Sequence, residues 1–230
     1  MDAEMAGILS RADELLHQLK DEYVGHVKDM VVTERAKNLF HETLLKIRTS
    51  LEFLMRRTFD NYSRLSDEKK QKAMVYFPIC DSEDDFRRKL KRVGLDNLHQ
   101  DNLELYERLR SAQPYSSERK DLVYLRELTN LGKHVRLAAQ ECSAKPATQV
   151  TGPSGTVTYT KDVTFRSMKI MGAPLDPKTQ RIKPIPGVSS KEVTLVSFDV
   201  EGYKGPDPVL FCTALLQGTR RFVEKCLPLL

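Results

Sequence analysis

Two long apolar stripes at helical spacing constrain the fold of this chain more than any other feature. Ile8, Ala12, Leu15, Leu19, Tyr23 and Val27 recur every three or four positions between about residues 4 and 30, the pattern of one face of a long amphipathic helix. Phe40, Leu44, Ile47, Leu51, Leu54, Met55 and Tyr62 repeat it from about 34 to 64. Near-heptad spacing of this kind suits antiparallel packing of long helices in a bundle. Both stripes read as core rather than as the lining of a cofactor site.

Shorter signals divide the remainder. Asp81 to Asp85 carries four acids and Phe86 to Arg92 five bases, so a helix beginning near Ser82 places its acids at the positive end of the helix dipole. The same bases, Arg87, Arg88, Lys89, Lys91 and Arg92, also suit a phosphate backbone, although no aromatic residue is interleaved with them for base stacking. Gly94 is expected to end this helix, and Asn97 or Asp101 to cap a short one running to about Arg110. Ser143 to Gly155 is rich in Ser, Thr, Pro and Gly and breaks the helical rhythm. Strand-like alternation follows at Val157 and Tyr159, Val163 and Phe165, and Met168 and Ile170, with a β-branched run from Glu192 to Val200. Pro174, Pro177, Pro184, Pro186 and Gly187 dictate a loop between them. After Pro206 and Pro208, a last stripe of Leu210, Ala214, Leu215, Gly218, Phe222 and Cys226 is placed to dock on the bundle. The expected class is α+β, mainly α, in one domain: an antiparallel helical bundle over 1–142, a small antiparallel β insert over 143–207, and a C-terminal helix over 208–230 that returns to the bundle.

Charge and cysteine usage narrow the function only a little. Thirty-seven Lys and Arg against 32 Asp and Glu leave a net charge of +5 in 230 residues, which permits a phosphate-bearing partner without the charge density of a nucleic-acid wrapper. Cys80, Cys142, Cys212 and Cys226 are too scattered for a zinc site or a disulfide framework and read as reduced, mostly buried thiols. The N-terminus is acidic where a signal peptide is basic, and the longest apolar run, near Val209 to Leu216, is too short to cross a bilayer. A soluble cytoplasmic protein with no membrane partner, no cofactor and no bound metal is expected. No phosphate loop, nucleophile elbow or dinucleotide fingerprint is present.

One helix carries the sharpest candidate site. Leu122, Leu125, Leu128, Thr129, Gly132, Val135 and Ala139 form its apolar stripe, while Arg126, Asn130, Lys133 and His134 fall together on the other side. Two cations, an amide and an imidazole in one row suit an anion; the alternative is a solvated helix face. Gln113-Pro114-Tyr115 precedes this helix, either as a turn with a packed tyrosine or with Tyr115 as a wall beside His134. Arg48 lies at the shoulder of the second stripe with Glu52 one turn later, placed to pair with each other and to face an adjacent helix.

These segments together resemble a group of uncharacterised bacterial proteins with the patterns L-R-S-A-L-D-H-L, F-P-I, Q-P-Y and N-I-D-K-H-R. Here they read Ile47-Arg48-Thr49-Ser50-Leu51-Glu52-Phe53-Leu54, Phe77-Pro78-Ile79, Gln113-Pro114-Tyr115 and Asn130-Leu131-Gly132-Lys133-His134-Val135. Phe53, Gly132 and Val135 stand where that pattern has His, Asp and Arg, and Arg136 follows immediately. More remotely, the long helix pair and the helix bearing a His row look like the HEPN (higher eukaryotes and prokaryotes nucleotide-binding) domains, many of them RNases of toxin and antiphage systems. That likeness implies a nucleic-acid-associated or phage-defence protein, a homodimer formed through the bundle, and metal-independent attack of an RNA 2′-hydroxyl on its neighbouring phosphate. His134 would then be the general acid or base, since imidazole titrates near neutral pH, and Lys133, Arg126 or Arg48 would offset phosphoryl charge. HEPN sites place Arg shortly ahead of His. Here seven residues separate Arg126 from His134, which holds their backbones roughly 12 Å apart along a straight helix. A non-catalytic protein- or ligand-binding module is the competing expectation.

Overall fold

The computed structural model describes residues 3–26, 32–117, 120–134, 140–160, 168–200 and 207–230. It is mainly helical, with a three-stranded antiparallel sheet inserted ahead of the last long helix. Helix α1 spans Ala3–His26 and α2 spans Glu34–Tyr62. Thr33 starts α2 by accepting the Ala36 N–H at 3.0 Å while donating its own hydroxyl to Glu22 of α1 at 2.6 Å, so one side chain caps the second helix and ties it to the first. The buried face of α1 is Met5, Leu9, Ala12, Leu15, Leu16, Leu19 and Tyr23. It is turned slightly from the stripe read in the sequence, because Leu9 and not Ile8 faces inward; Val27 lies outside the described residues.

Among the described residues, six shorter helices lie between α2 and the sheet: α3 Asp67–Lys72, α4 Glu83–Arg92, α5 Leu98–Asp101, α6 Leu103–Ser111, α7 Pro114–Ser117 and α8 Lys120–His134. The start and end of α4 follow its sequence. Ser82 accepts the Asp85 N–H at 3.2 Å. Gly94, at φ 70°, closes the helix in a Schellman turn with Gly94 N–H on Lys91 O at 3.0 Å and Leu95 N–H on Leu90 O at 2.9 Å. Asn97 stands at the N-cap position of α5 without a side-chain cap bond, and α6 is capped by Asn102, whose Oδ1 accepts the Leu105 N–H at 3.0 Å. A one-residue break between α5 and α6 makes this the side chain that reaches the third amide of α6. Its amide nitrogen serves a second purpose, donating to Tyr62 Oη at 2.9 Å and to the Leu229 carbonyl at 2.8 Å.

Helix α9, Pro208–Cys226, is capped by Asp207 and packs on α1, α2 and α8. Its core face is Phe211, Cys212, Leu215, Leu216, Thr219, Val223 and Cys226. Leu210, placed in the stripe by the sequence reading, is 62% exposed. Two apolar rows run side by side on this helix, and the one carrying Phe211 and Leu216 takes the core because it offers the larger continuous apolar area.

The sheet corrects another expectation. Strand β1 covers Gln140–Gly152, most of the segment read as a break, and pairs with β2, Gly155–Thr160, on one side and with β5, Ser189–Val200, on the other. Thr148, Val150 and Thr151 supply β-branched residues to β1. Two short strands, β3 Lys169–Ile170 and β4 Ala173–Pro174, with isolated bridges at Leu175–Ile182 and Ile185–Val188, hold part of the segment read as loop. Residues 161–167, where Val163 and Phe165 fall, lie outside the described residues. Buried apolar residues form two clusters, a large one spanning the helices and a small one of Val150, Tyr159, Ile170, Ala173, Leu175 and Ile182 in the β insert. Among the described residues, no helix is long and apolar enough to cross a membrane.

Candidate functional site: a cationic cleft between α2, α4 and α8

The site is organised by an extended strap, Phe77-Pro78-Ile79-Cys80, that is buried along its length. Proline keeps it out of a helix, so its backbone groups need partners from elsewhere. Cys80 N–H donates to Gln113 Oε1 at 3.1 Å, and the Gln113 amide nitrogen donates to Leu109 O at 2.9 Å. The Ile79 carbonyl accepts from Lys89 Nζ of α4 and from Arg126 Nη1 of α8, each at 3.2 Å. One oxygen therefore bridges two helices.

In front of the strap opens a cleft of about 260 Å³. Arg48, Lys89, Arg92, Arg126 and Asn130 supply its polar lining, and Met55, Met74, Tyr76, Phe77 and Pro78 much of its apolar lining. Three of the cations are held by carboxylates outside the lining: Arg48 by Glu52 at 3.0 Å, Lys89 by Asp85 at 2.9 Å and Arg126 by Asp81 at 3.0 Å. Arg92 has no ion-pair partner among the described residues. Four cations against three carboxylates leave one net positive charge facing the cleft.

Arg48 is the most constrained of the four. Its side chain is 15% exposed, and besides Glu52 it donates from Nη1 to Thr129 Oγ1 at 2.5 Å and to Asn130 Oδ1 at 3.0 Å. Thr129 donates its own hydroxyl to Leu125 O at 2.6 Å. The pair on α2 is thus an inter-helix clamp on α8, and Asn130, with its oxygen engaged, keeps its amide N–H groups as donors.

Of the sequence candidates, Arg48, Arg126 and Asn130 line one cleft, with Glu52 directly behind Arg48. Lys133 and His134 are in the last turn of α8, and their side chains lie outside the described residues. Tyr115 is not among the residues lining the cleft. Its hydroxyl is buried without a hydrogen bond among the described residues, and burial foremost, with the nearby Glu83 carboxylate, pushes its pKa up to about 12. Gln113 is the functional member of its motif in structural terms, as the pin of the strap. Burial likewise pushes the Cys80 thiol up to about 11, so it is held as an unreactive thiol.

Lys89, Arg92, Met74 and Tyr76 are cleft residues that the sequence reading did not single out for it. A signal for Arg92 exists: Arg87, Arg88 and Lys89 each have an acid three or four positions earlier, whereas Lys91 and Arg92 have bases there. The structure pairs Arg87 with Glu83 at 2.6 Å and Arg88 with Asp85 at 2.7 Å. The hydrogen bonds from Lys89 and then Arg88 hold the Asp85 carboxyl down at about 2.

No family model, curated protein or solved structure matches this chain.

Proposed function

We propose that the protein binds a phosphate-bearing ligand in the cleft between α2, α4 and α8, with RNA as the ligand that the HEPN-like resemblance implies. The supporting observation is the convergence of Arg48, Lys89, Arg92 and Arg126 on one recess whose described lining contains no carboxylate. Prepositioned guanidinium groups favour phosphate because their fork geometry matches its oxygens and little conformational freedom is lost on binding. Metal-independent RNA cleavage with His134 as acid or base is the catalytic form of this proposal, and a nucleic-acid or phage-defence role is its biological setting. Pairing of two protomers through the bundle belongs to the same reading and is tested by sedimentation.

The binding-module reading has its own support: the described lining holds no histidine, cysteine or carboxylate able to move a proton near neutral pH. Incubation of the protein with mixed-sequence RNA in EDTA, against His134→Ala, separates the two. Cleavage to cyclic phosphate ends that the substitution abolishes supports catalysis. Salt-dependent binding without cleavage, weakened by Arg92→Ala, supports a binding module. Absence of both overturns the RNA proposal.

A further inference from the structure

Helix α4 has recesses on two sides. Besides the cleft, a groove of about 550 Å³ is lined by Arg87, Arg88, Lys91, His99 and Tyr106 among others, and Leu90 borders both. At about 100° per residue, positions 87, 91, 88, 92 and 89 follow one another around the helix. Its five bases therefore form an unbroken arc from the groove, over the exposed ridge, into the cleft.

Charge and ring chemistry distinguish the groove from a solvated helix face. Arg87 and Arg88, 67% and 70% exposed, are held by single ion pairs to Glu83 and Asp85 of a kind that contributes little, and Arg87 also bonds the Tyr106 side chain. Lys91 has no ion-pair partner among the described residues. The sequence shows no aromatic residue among these bases, but the fold brings two rings beside them from α5 and α6. His99 and Tyr106 meet edge-on with centroids 5.9 Å apart, next to Leu103, which is 60% exposed. Asp96 and Glu107 also border the groove, so its charge is mixed where that of the cleft is not.

We infer that α4 is a ridge crossed by a single RNA strand, with phosphates on Arg92, Arg88, Lys91 and Arg87 and a base against the His99–Tyr106 pair. This inference rests on the proposal that the cleft binds RNA, and extends it from a ligand held at one recess to a polymer spanning two. A basic track beside aromatic platforms is the chemistry that single strands require.

The test is fluorescence anisotropy of a labelled uridine tetranucleotide and a uridine strand of about 12 nucleotides, within the size range of small single-strand sites. The wild type is compared with the Arg87→Ala/Lys91→Ala double variant, which removes two exposed side chains and whose fold is checked by its Tm. The long strand is expected to bind the wild type about tenfold more tightly than the short one. The double variant is expected to lose that advantage and to show a salt slope shallower by about 1.4, the release from two single-strand phosphates, with tetranucleotide affinity unchanged within about twofold. Length-independent binding that ignores the double substitution overturns the ridge path while leaving the cleft proposal standing. Failure of both strands to bind the wild type at low salt overturns both. Poly-glutamate competing as well as RNA overturns the path in favour of an acidic protein partner.

Discussion

The helical core and the β insert achieve order by different means. The helical cluster draws buried residues from α1, α2, α4, α6, α8 and α9, elements far apart in sequence. Among the described residues, the apolar cluster of the insert holds six buried residues, and the insert leans on its turns: Met171 and Gln180 adopt φ of 52° and 54°, Gly172 and Gly187 also take positive φ, and Tyr159 Oη donates to the Gln180 carbonyl at 3.0 Å. Burial of apolar area stabilises the first, whereas turn geometry and a few directed bonds matter proportionally more in the second. The cleft belongs to the first kind of structure, so its cations sit on elements whose positions are set by the core.

Substitutions can break or sharpen this contrast. Phe59→Ala, at a fully buried position of α2, is expected to cost about 3–5 kcal/mol and to lower the urea midpoint of the helical signal; a change under about 1 kcal/mol would contradict a tightly packed bundle centre. Gln113→Leu leaves the buried Cys80 N–H without its acceptor and is expected to cost about 1–3 kcal/mol, with exchange of the Cys80 amide accelerated. Gly94→Ala forces a side chain into the left-handed region and sets its Cβ 2.8 Å from Leu65 Cγ. A loss of about 1–2 kcal/mol is expected, read as a lower Tm.

Tyr159→Phe removes one hydroxyl bond in the insert, for about 1 kcal/mol. Hydrogen exchange should rise in β1 and β2 and stay unchanged in α2; equal acceleration in both would show that the insert and bundle open as one unit. The smallest effect is electrostatic. Because the Asp85 carboxyl is lowered from 3.8 to about 2 in the fold, its contribution is present above the unfolded value and is lost as pH falls through that window. The Asp85 side chain is 25% exposed but its partner Arg88 is 70% exposed, so solvent screening keeps the effect small; Asp85→Asn should slightly lower the neutral plateau of a Tm–pH curve and flatten its acid limb between those values.

The sequence made these regions legible to different degrees for physical reasons. The long helices were readable because periodicity is local: α2 begins at Glu34, as the stripe implied, and ends within two residues of its expected end. The inward face of α9 was not, since two apolar rows compete there and only packing chooses between them. Arg126 and Asn130, one turn apart on α8, were found by that spacing. Lys89 and Arg92 join them only because the strap brings α4 alongside, a contact with no local sequence signature. Asn102 was missed for the opposite reason, its cap depending on a single-residue break between two helices. Tyr115 does not line the cleft with Arg126 and Asn130; Cys80 and Glu83 are among its neighbours.

The Ile79 carbonyl, reached at 3.2 Å from both Lys89 and Arg126, acts as a gauge for the cleft. It sets the spacing between α4 and α8 through a main-chain atom that every residue type at position 79 would supply. The mouth of the recess is thereby insulated from substitution at its own keystone. Exchange of Arg92, which takes no part in that gauge, can retune which anion is preferred while the spacing set by Lys89 and Arg126 is kept.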